Sequence, residues 1–260
     1  MKKYLKINKE AIRVAISSAA AYRADFLLSM IITLLSNVLY PLVTILVYRT
    51  GASYDGWNMY EVLLIQAVFT MSSGISSMFF ESIVWSTMRD VQNGTLEIIL
   101  IKPVNCMVYL IVSGFNVYSI GVVIGGIIMF AISIIKLGFP SPDMWIVSLI
   151  FFAMGILVML AMQLLMAATS FKWVANSRIP EMYESVMSFG KYPQSIFNKV
   201  VVGLTTFIIP VAMIGFFPAA ALLGKVQWYM YLAIIPCILF LCLGVAVYHY
   251  NVRLYEGVGG

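Results

Sequence analysis

The chain has 260 residues, of which 62% are hydrophobic and only 10% are charged, with a formal net charge of +5. Because soluble proteins carry roughly 25% charged residues, this composition excludes an ordinary soluble enzyme. The positive balance could indicate nucleic-acid binding, but the basic residues lie in short segments between long apolar stretches, where membrane proteins carry their orientation signals. We therefore expect a lipid bilayer, and no nucleic acid, around this chain.

Six stretches contain no Asp, Glu, Lys or Arg: 26–48, 62–80, 103–135, 144–171, 200–224 and 226–252. About 20 apolar residues cross a hydrocarbon core of about 30 Å. The pattern predicts an all-α membrane protein that forms one transmembrane domain over residues 1–260. Its six predicted spans are 26–48, 62–84, 107–135, 144–171, 200–216 and 227–248.

Residues 4–22 predict a helix that does not span the membrane. Leu5, Ile12 and Ile16 recur at helical spacing, while Lys6 and Lys9 fall largely on another side. This arrangement suits a helix that lies at the headgroup level. A basic tail that only orients the chain is the alternative.

The distribution of basic residues predicts the orientation. Thirteen of the 16 Lys and Arg residues, Lys191 and Lys199 among them, fall in segments on the same side as the N-terminus. The other side would hold only Arg49, Lys136 and Lys225. The positive-inside rule then places both termini in the cytoplasm.

The segment after the second predicted span is too organised for a plain linker. Asn93-Gly94 is a helix stop, Thr95 can cap a new helix, and Glu97 is favourable in its first turn. Lys102-Pro103 closes that helix, because a residue before proline leaves the α region. We expect a short helix within 86–101.

This short helix has an apolar edge formed by Leu96, Ile99 and Leu100. Such an edge suits a groove on a partner protein. The candidates for polar contacts with that partner are Arg89, Asp90, Glu97 and Lys102. Solvated interfacial charges are the alternative interpretation.

The apolar stretch 200–248 is less regular than the others. Pro210 interrupts the predicted fifth span, and Phe217-Pro218 follows seven residues later. The segment 217–224 is too short to cross a membrane. We expect a short helix that dips into the outer leaflet and returns, because irregular backbone is tolerated where protein buries it.

No catalytic, cofactor-binding or metal site is expected. Cys106, Cys237 and Cys242 form no ligand pattern, and His249 has no evident partner. A phosphate-binding GxxxxGK[ST] motif is missing, so the chain is not expected to bind ATP itself. No carboxylate, Lys or Arg is predicted deep in a span, where such residues mark ion and proton paths.

Taken together, these segments resemble the membrane subunits of type-2 ABC exporters (ABC-2 permeases), in particular bacterial permeases with six spans. The resemblance covers nearly the whole chain. The residues that carry it are Ala21–Phe26, Gly94-Thr95-Leu96-Glu97, Leu100–Asn105, Lys191-Tyr192-Pro193, Ile196-Phe197, Ile209-Pro210 and Phe217-Pro218-Ala219.

The resemblance implies a role for each segment. Residues 4–22 would be the connecting helix, 86–101 the coupling helix that docks into a separate ABC ATPase subunit, and 217–224 the re-entrant segment. The implied ATPase-coupling residues are Arg89, Asp90, Thr95, Leu96, Glu97, Leu100 and Lys102. The complex would lie in a bacterial cell membrane and contain two permease and two ATPase chains. The ATPase would bind ATP and Mg, and the substrate would pass along the permease interface.

Other interpretations remain open from sequence. Gly121 and Gly125 have the spacing of a close helix-packing motif, although this spacing also arises by chance. An ATP-independent secondary carrier or channel is the main alternative to an ATP-driven exporter, and a membrane enzyme or assembly factor is a third. The substrate, and whether the second permease is an identical chain, cannot be inferred from this sequence.

Overall fold

A computed structural model describes residues 2–172 and 178–255. Within these ranges the chain forms helices and no strand. The α-helices are α1 (Lys2–Ala21), α2 (Arg23–Arg49), α3 (Met59–Phe79), α4 (Glu81–Gln92), α5 (Leu96–Leu100), α6 (Cys106–Ser113), α7 (Ile120–Leu137), α8 (Pro142–Thr169), α9 (Arg178–Ser188), α10 (Lys199–Gly203), α11 (Phe216–Leu222), α12 (Trp228–Leu232) and α13 (Ile234–Arg253).

The predicted all-helical fold is confirmed, but the predicted number of continuous spans is not. In the described part of the chain, five helical segments are long and apolar enough to cross a membrane. They are Arg23–Arg49, Met59–Phe79, Val117–Leu137, Pro142–Thr169 and Trp228–Arg253. Most of α3 is buried inside the chain, whereas most of α2 is exposed, so α3 is the central helix of the bundle.

Glycines let these helices approach one another closely. A Cβ atom on Gly155 of α8 would lie 2.6 Å from the carbonyl oxygen of Met213. A Cβ on Gly244 of α13 would lie 2.9 Å from the carbonyl oxygen of Ala161. Such contacts between backbones are typical of helix packing in membranes, where van der Waals contact replaces the hydrophobic effect.

The bundle has two distinct ends. The loop end carries residues 50–58 and 138–141, which connect the long helices. The terminal end carries α1, the segment α4–α6 and the end of α13. There the backbone N–H of Asn105 donates to the hydroxyl of Tyr4 at 3.0 Å. The rings of Phe171 and Tyr255 meet at 5.9 Å at the same end.

The predicted second and third spans, 62–84 and 107–135, are each interrupted near the terminal end. Phe80 leaves the helical conformation at φ −120° and ψ −22°, so α3 ends and α4 begins as a separate helix. Gly114 lies between α6 and the turn before α7, so close to Ser82 that a Cβ atom would not fit. The segment α4–α6 is therefore a folded unit of its own at the terminal end.

The chain passes from the terminal end to the loop end over residues 178–197. Ile179 lines a small cavity together with Thr169, the last residue of α8. Farther along, Tyr183 accepts a hydrogen bond from Gln163 at 3.4 Å. At the other end of this passage, the ring of Tyr192 lies 6.1 Å from that of Tyr54 in the first loop.

The predicted fifth span, 200–216, is not a continuous span. The chain enters the bundle from the loop end through α10 and a wider turn, Leu204–Ile208, in which Ile209 N–H bonds to Leu204 O at 2.9 Å. Pro210 follows and cannot donate a backbone hydrogen bond. After a tight turn at Val211–Met213, the chain returns to the loop end.

The returning arm of this hairpin is the helix α11, in which all seven residues are buried. It overlaps the segment 217–224 that the sequence predicts to be re-entrant. The ring of Phe216 contacts that of Trp57 at 5.4 Å, which places the start of α11 near the first loop. We call residues 199–222 the loop-end hairpin.

These contacts correct the predicted position of two basic residues. Lys191 and Lys199 were assigned to the side of the termini, but the passage of 178–197 across the bundle places both toward the loop end. The Lys191 ammonium lies 3.8 Å from the ring centre of Tyr40 in α2. Tyr40 is nine residues before the end of α2, or about 13 Å along the helix axis. Lys191 thus lies at the level of the spans, although it belongs to a connecting segment and to none of the spans.

Candidate functional site

A glycine-capped turn sets the geometry of the predicted coupling region. Gly94 has φ +67°, the Thr95 N–H donates to Asp90 O at 2.8 Å, and the Gly94 N–H donates to Val91 O at 3.3 Å. This pair of bonds is a Schellman motif, which ends α4. The hydroxyl of Thr95 also donates to the Asp90 carboxylate at 3.3 Å. Asp90 and Thr95 thus hold the turn together, and Thr95 makes no side-chain capping bond to α5.

The short helix α5 begins at Leu96, within the predicted region, but two of the three residues of its apolar edge, Leu96 and Ile99, face inward. Leu96 is fully buried and Ile99 is 8% exposed. Both belong to an apolar cluster with Leu164 of α8 and Tyr248 of α13. Leu96 therefore anchors α5 to the long helices, and its expected role in a direct partner contact is not supported by this position.

The outer face of α5 consists of different residues. Ile98 is 57% exposed, Ile101 is 82% exposed, and Glu97 and Leu100 are also exposed. Sequence reasoning missed Ile98 and Ile101. The signal was present, because Leu96–Ile101 is apolar at every position except Glu97, so a helix there must show an apolar surface on more than one face.

The other predicted coupling residues have mixed surroundings. Arg89 is exposed and lies 3.5 Å from its neighbour Asp90. Lys102 turns back onto Tyr109, with its ammonium 4.4 Å from the ring centre and 3.0 Å from the hydroxyl oxygen. Only Arg89, Glu97 and Leu100 of the predicted set therefore face outward with Ile98 and Ile101.

Helix α1 contacts the same unit from the side. Lys3 donates to Pro103 O at 3.3 Å, and Asn8 donates to Val112 O at 3.2 Å. The amphipathic helix predicted at 4–22 thus packs along the segment α4–α6. A movement of α5 would therefore displace α1 as well as α8 and α13.

A buried polar contact also joins this unit to the last span. The hydroxyls of Thr87 and Tyr248 lie 3.1 Å apart, and both residues are fully buried. Cys106 lies beside Tyr248, and burial raises the pKa of the Cys106 thiol. This thiol therefore carries less negative charge at neutral pH than an exposed cysteine would.

The two glycines predicted to pack helices lie against the first span. A Cβ on Gly121 would lie 2.9 Å from the carbonyl oxygen of Met30, and one on Gly125 would lie 3.3 Å from the side chain of Leu34. Gly121 is in backbone contact, whereas Gly125 faces a flexible side-chain end. The two positions therefore have different steric demands.

A second candidate site is a cavity of about 370 Å³ between α2, α3 and α9. Lys191 lines it, and the sequence analysis gave this residue no site role because it placed Lys191 on the side of the termini. Among the described residues, no group of three or more His, Cys, Asp or Glu side chains could hold a metal ion. The outer face of α5 and this cavity are therefore two features of the described residues that could carry function.

The fold identifies the class of protein. The chain is a multi-pass helical membrane protein with a small folded unit at one end. Comparison with protein families then matches residues 31–259 to the family described as ABC-2 family transporter protein. This match covers most of the chain, so the protein belongs to the ABC-2 transporter family. Neither a curated protein nor a solved structure matches the chain.

Proposed function

We propose that this protein is the transmembrane subunit of an ATP-driven exporter and receives its energy from a separate ABC ATPase at the outer face of α5. Membership of the ABC-2 family supports a permease role. The proposal extends this to coupling, to export, and to a second permease chain that completes the substrate path. The terminal end, where basic residues are still the more numerous, would face the cytoplasm of a bacterium.

The single observation that carries the proposal is the two-sided character of α5. Leu96 and Ile99 attach this helix to α8 and α13. Ile98 and Ile101 leave an apolar surface open beside the charge of Glu97. A partner that grips the open surface and moves would displace α5, and the buried residues would pass that displacement to the long helices.

In this mechanism the chain itself does no covalent chemistry. ATP and Mg bind to the partner, and closure of the two ATPase subunits moves the groove that holds α5. The rigid turn at Gly94 and the contacts of α1 make the segment α4–α6 move as one body. The permease chains then rock and open the path between them to the other side of the membrane.

An ATP-independent carrier remains the second candidate because of Lys191. Ionisable residues at the level of the membrane are the parts from which such carriers build ion and proton paths. Among the described residues, no carboxylate lies within 4.0 Å of Lys191, which makes it a poor relay, and the family membership favours the first candidate.

The test is co-purification with an ABC ATPase, and the first step is to establish whether the neighbouring gene encodes one. Ile98→Asp together with Ile101→Asp should abolish association and the permease-dependent part of ATP turnover, because it places two carboxylates in an apolar contact. Phe139→Asp is the matched control, since Phe139 is 83% exposed at the loop end. Size-exclusion profiles of the solubilised variants check folding.

Unchanged association and turnover in the Ile98/Ile101 variant would contradict docking at α5. Leu96→Asp is unsuitable for this purpose. Leu96 is buried, so its substitution would unfold the segment whether or not a partner binds there.

A further inference from the structure

The cavity that contains Lys191 has the polar lining of a binding site. Four residues of α3, Gln66, Thr70, Ser73 and Ser77, line it. Their spacing of four, three and four residues places them on one face of the helix. A polar stripe on an otherwise apolar spanning helix is costly unless the polar groups find partners.

The side chain of Gln66 has a buried oxygen atom without a hydrogen-bond donor among the described residues. Gln66 is 2% exposed, and its amide nitrogen donates to the Thr44 hydroxyl at 2.7 Å. Its carbonyl oxygen Oε1 is buried and accepts no hydrogen bond from any residue that the structure describes. Because this buried acceptor has lost its hydrogen bonds to water and has gained none from the described residues of the protein, a donor is missing from the cavity lining at Gln66.

Lys191 supplies a positive charge to the same cavity. Its ammonium rests on the rings of Tyr40 and Phe69, 3.8 and 5.2 Å from their centres. Within the described part of the chain, no carboxylate lies within 4.0 Å of it. An ionisable residue at the depth of the spans is expensive to keep and marks a functional site by default. The Lys191 ammonium is therefore open to pairing with the anionic group of a ligand.

The remaining lining limits the charge of a ligand. Ser36 and Asn37 of α2 add neutral hydrogen-bonding groups, and the carboxylate of Glu184 lies at the edge. Repulsion from Glu184 disfavours a ligand with several negative charges. A volume of about 370 Å³ is within the usual range of small-molecule sites.

We propose that this cavity binds a singly charged anion that also carries hydroxyl groups, with the anionic group on Lys191 and a hydroxyl donating to Gln66 Oε1. That this ligand is the exported substrate, or its headgroup, rests on the proposed function above. The binding itself does not, because it needs no ATPase. The same chemistry could come from a membrane lipid or from a water-soluble solute.

The experiment measures binding to the purified, delipidated protein by native mass spectrometry. The two probes share one headgroup, a phosphate diester with free hydroxyls: phosphatidylglycerol as the lipid, and deacylated glycerophosphoglycerol as the solute. Their zwitterionic counterparts, phosphatidylcholine and glycerophosphocholine, are the ligand controls. We expect at least one glycerol probe to bind about tenfold more tightly than its choline counterpart.

Lys191→Met, which keeps the length of the side chain, should remove that preference, and Gln66→Leu should weaken binding severalfold. Lys136→Met is the matched control, because Lys136 is an exposed lysine near the loop end that does not line the cavity. It should bind like the original protein. Preference for the lipid alone identifies a lipid headgroup, and preference for the solute alone identifies a soluble ligand.

The proposal is overturned if the original protein shows no preference for either glycerol probe. It is equally overturned if Lys136→Met loses the preference as much as Lys191→Met does, or if Lys191→Met and Gln66→Leu both retain it. Should Lys191→Met fail to fold, Gln66→Leu decides alone. Binding without ATPase association would refute the proposed function only, and association without binding would refute this cavity only.

Discussion

The hydroxyl groups of Thr87 and Tyr248 lie 3.1 Å apart in the apolar interior, although 161 positions separate the two residues in the chain. Thr87 belongs to α4 and Tyr248 to α13. The contact therefore ties the folded unit at the terminal end to the last span, at the level where a partner's push would have to be transmitted.

Removing one hydroxyl of this pair should destabilise the protein. Tyr248→Phe leaves the Thr87 hydroxyl buried without this partner, at a cost of about 1–3 kcal/mol. Thr87→Val should cost a similar amount, and the double variant should cost less than the sum. The melting temperatures of the original protein, the two single variants and the double variant in detergent complete this double-mutant cycle. Tyr250→Phe is the control, because Tyr250 is 64% exposed. Strict additivity would show that the two hydroxyls do not interact.

Glu61 has two roles at the loop end that substitution can separate. Its carboxylate accepts from the Asn58 N–H at 2.9 Å, which forms a capping box, and lies 2.8 Å from the Lys225 ammonium. Glu61→Gln keeps an acceptor for the cap and removes the ion pair. Glu61→Ala removes both, so its melting temperature should fall further, by an amount worth about 1 kcal/mol. Equal losses would mean that the cap contributes nothing.

Alanine should destabilise the protein at Gly121 of α7 and be tolerated at Gly125. On Gly121 a Cβ would meet Thr33 Oγ1 at 2.5 Å and Met30 O at 2.9 Å, so α2 must shift. Such overpacking costs about 1–3 kcal/mol. On Gly125 the nearest atom is a methyl group of Leu34 at 3.3 Å, which can rotate away. Thermal stability of the two variants tests this difference. Equal stability would place α2 farther from α7.

The Cys106 thiol should react slowly with maleimide, because burial raises its pKa above the ordinary value of the thiol. Only the thiolate reacts, so its rate should still be rising above about pH 9.5, where an ordinary thiol with a pKa of about 8.5 approaches its plateau. The measurement uses a variant in which Cys237 and Cys242 are alanine. The same protein unfolded in detergent provides the ordinary profile. A plateau below pH 8 in the folded protein would contradict the raised pKa.

The sequence predicts well where one physical effect acts alone. Long charge-free runs place α2, α3 and α8, because only apolar segments of that length can cross a bilayer. The stop at Gly94 is equally clear, since a positive φ after a helix favours glycine. The helix α5 that follows this stop lies within the predicted region.

The sequence does not predict the structure where tertiary contacts decide between two conformations that the local sequence allows equally well. The segment 200–216 is apolar enough for a span, and equally apolar enough for a hairpin buried against α3 and α8. Which face of α5 turns inward depends on α8 and α13, which no local pattern encodes. Lys191 looks like a loop residue, because its aromatic partners Tyr40 and Phe69 are distant in sequence.

The loop-end hairpin has a consequence for how the protein is made. Each long helix can partition into lipid singly as it leaves the ribosome, since its backbone groups are satisfied internally. The bend at Ile209-Pro210 cannot do so, because its irregular backbone would be left in hydrocarbon. During biosynthesis, α3 and α8 must therefore insert into the membrane first, and residues 199–222 must pack between them afterwards. A chain arrested before that late step would keep the buried faces of α3 and α8 uncovered.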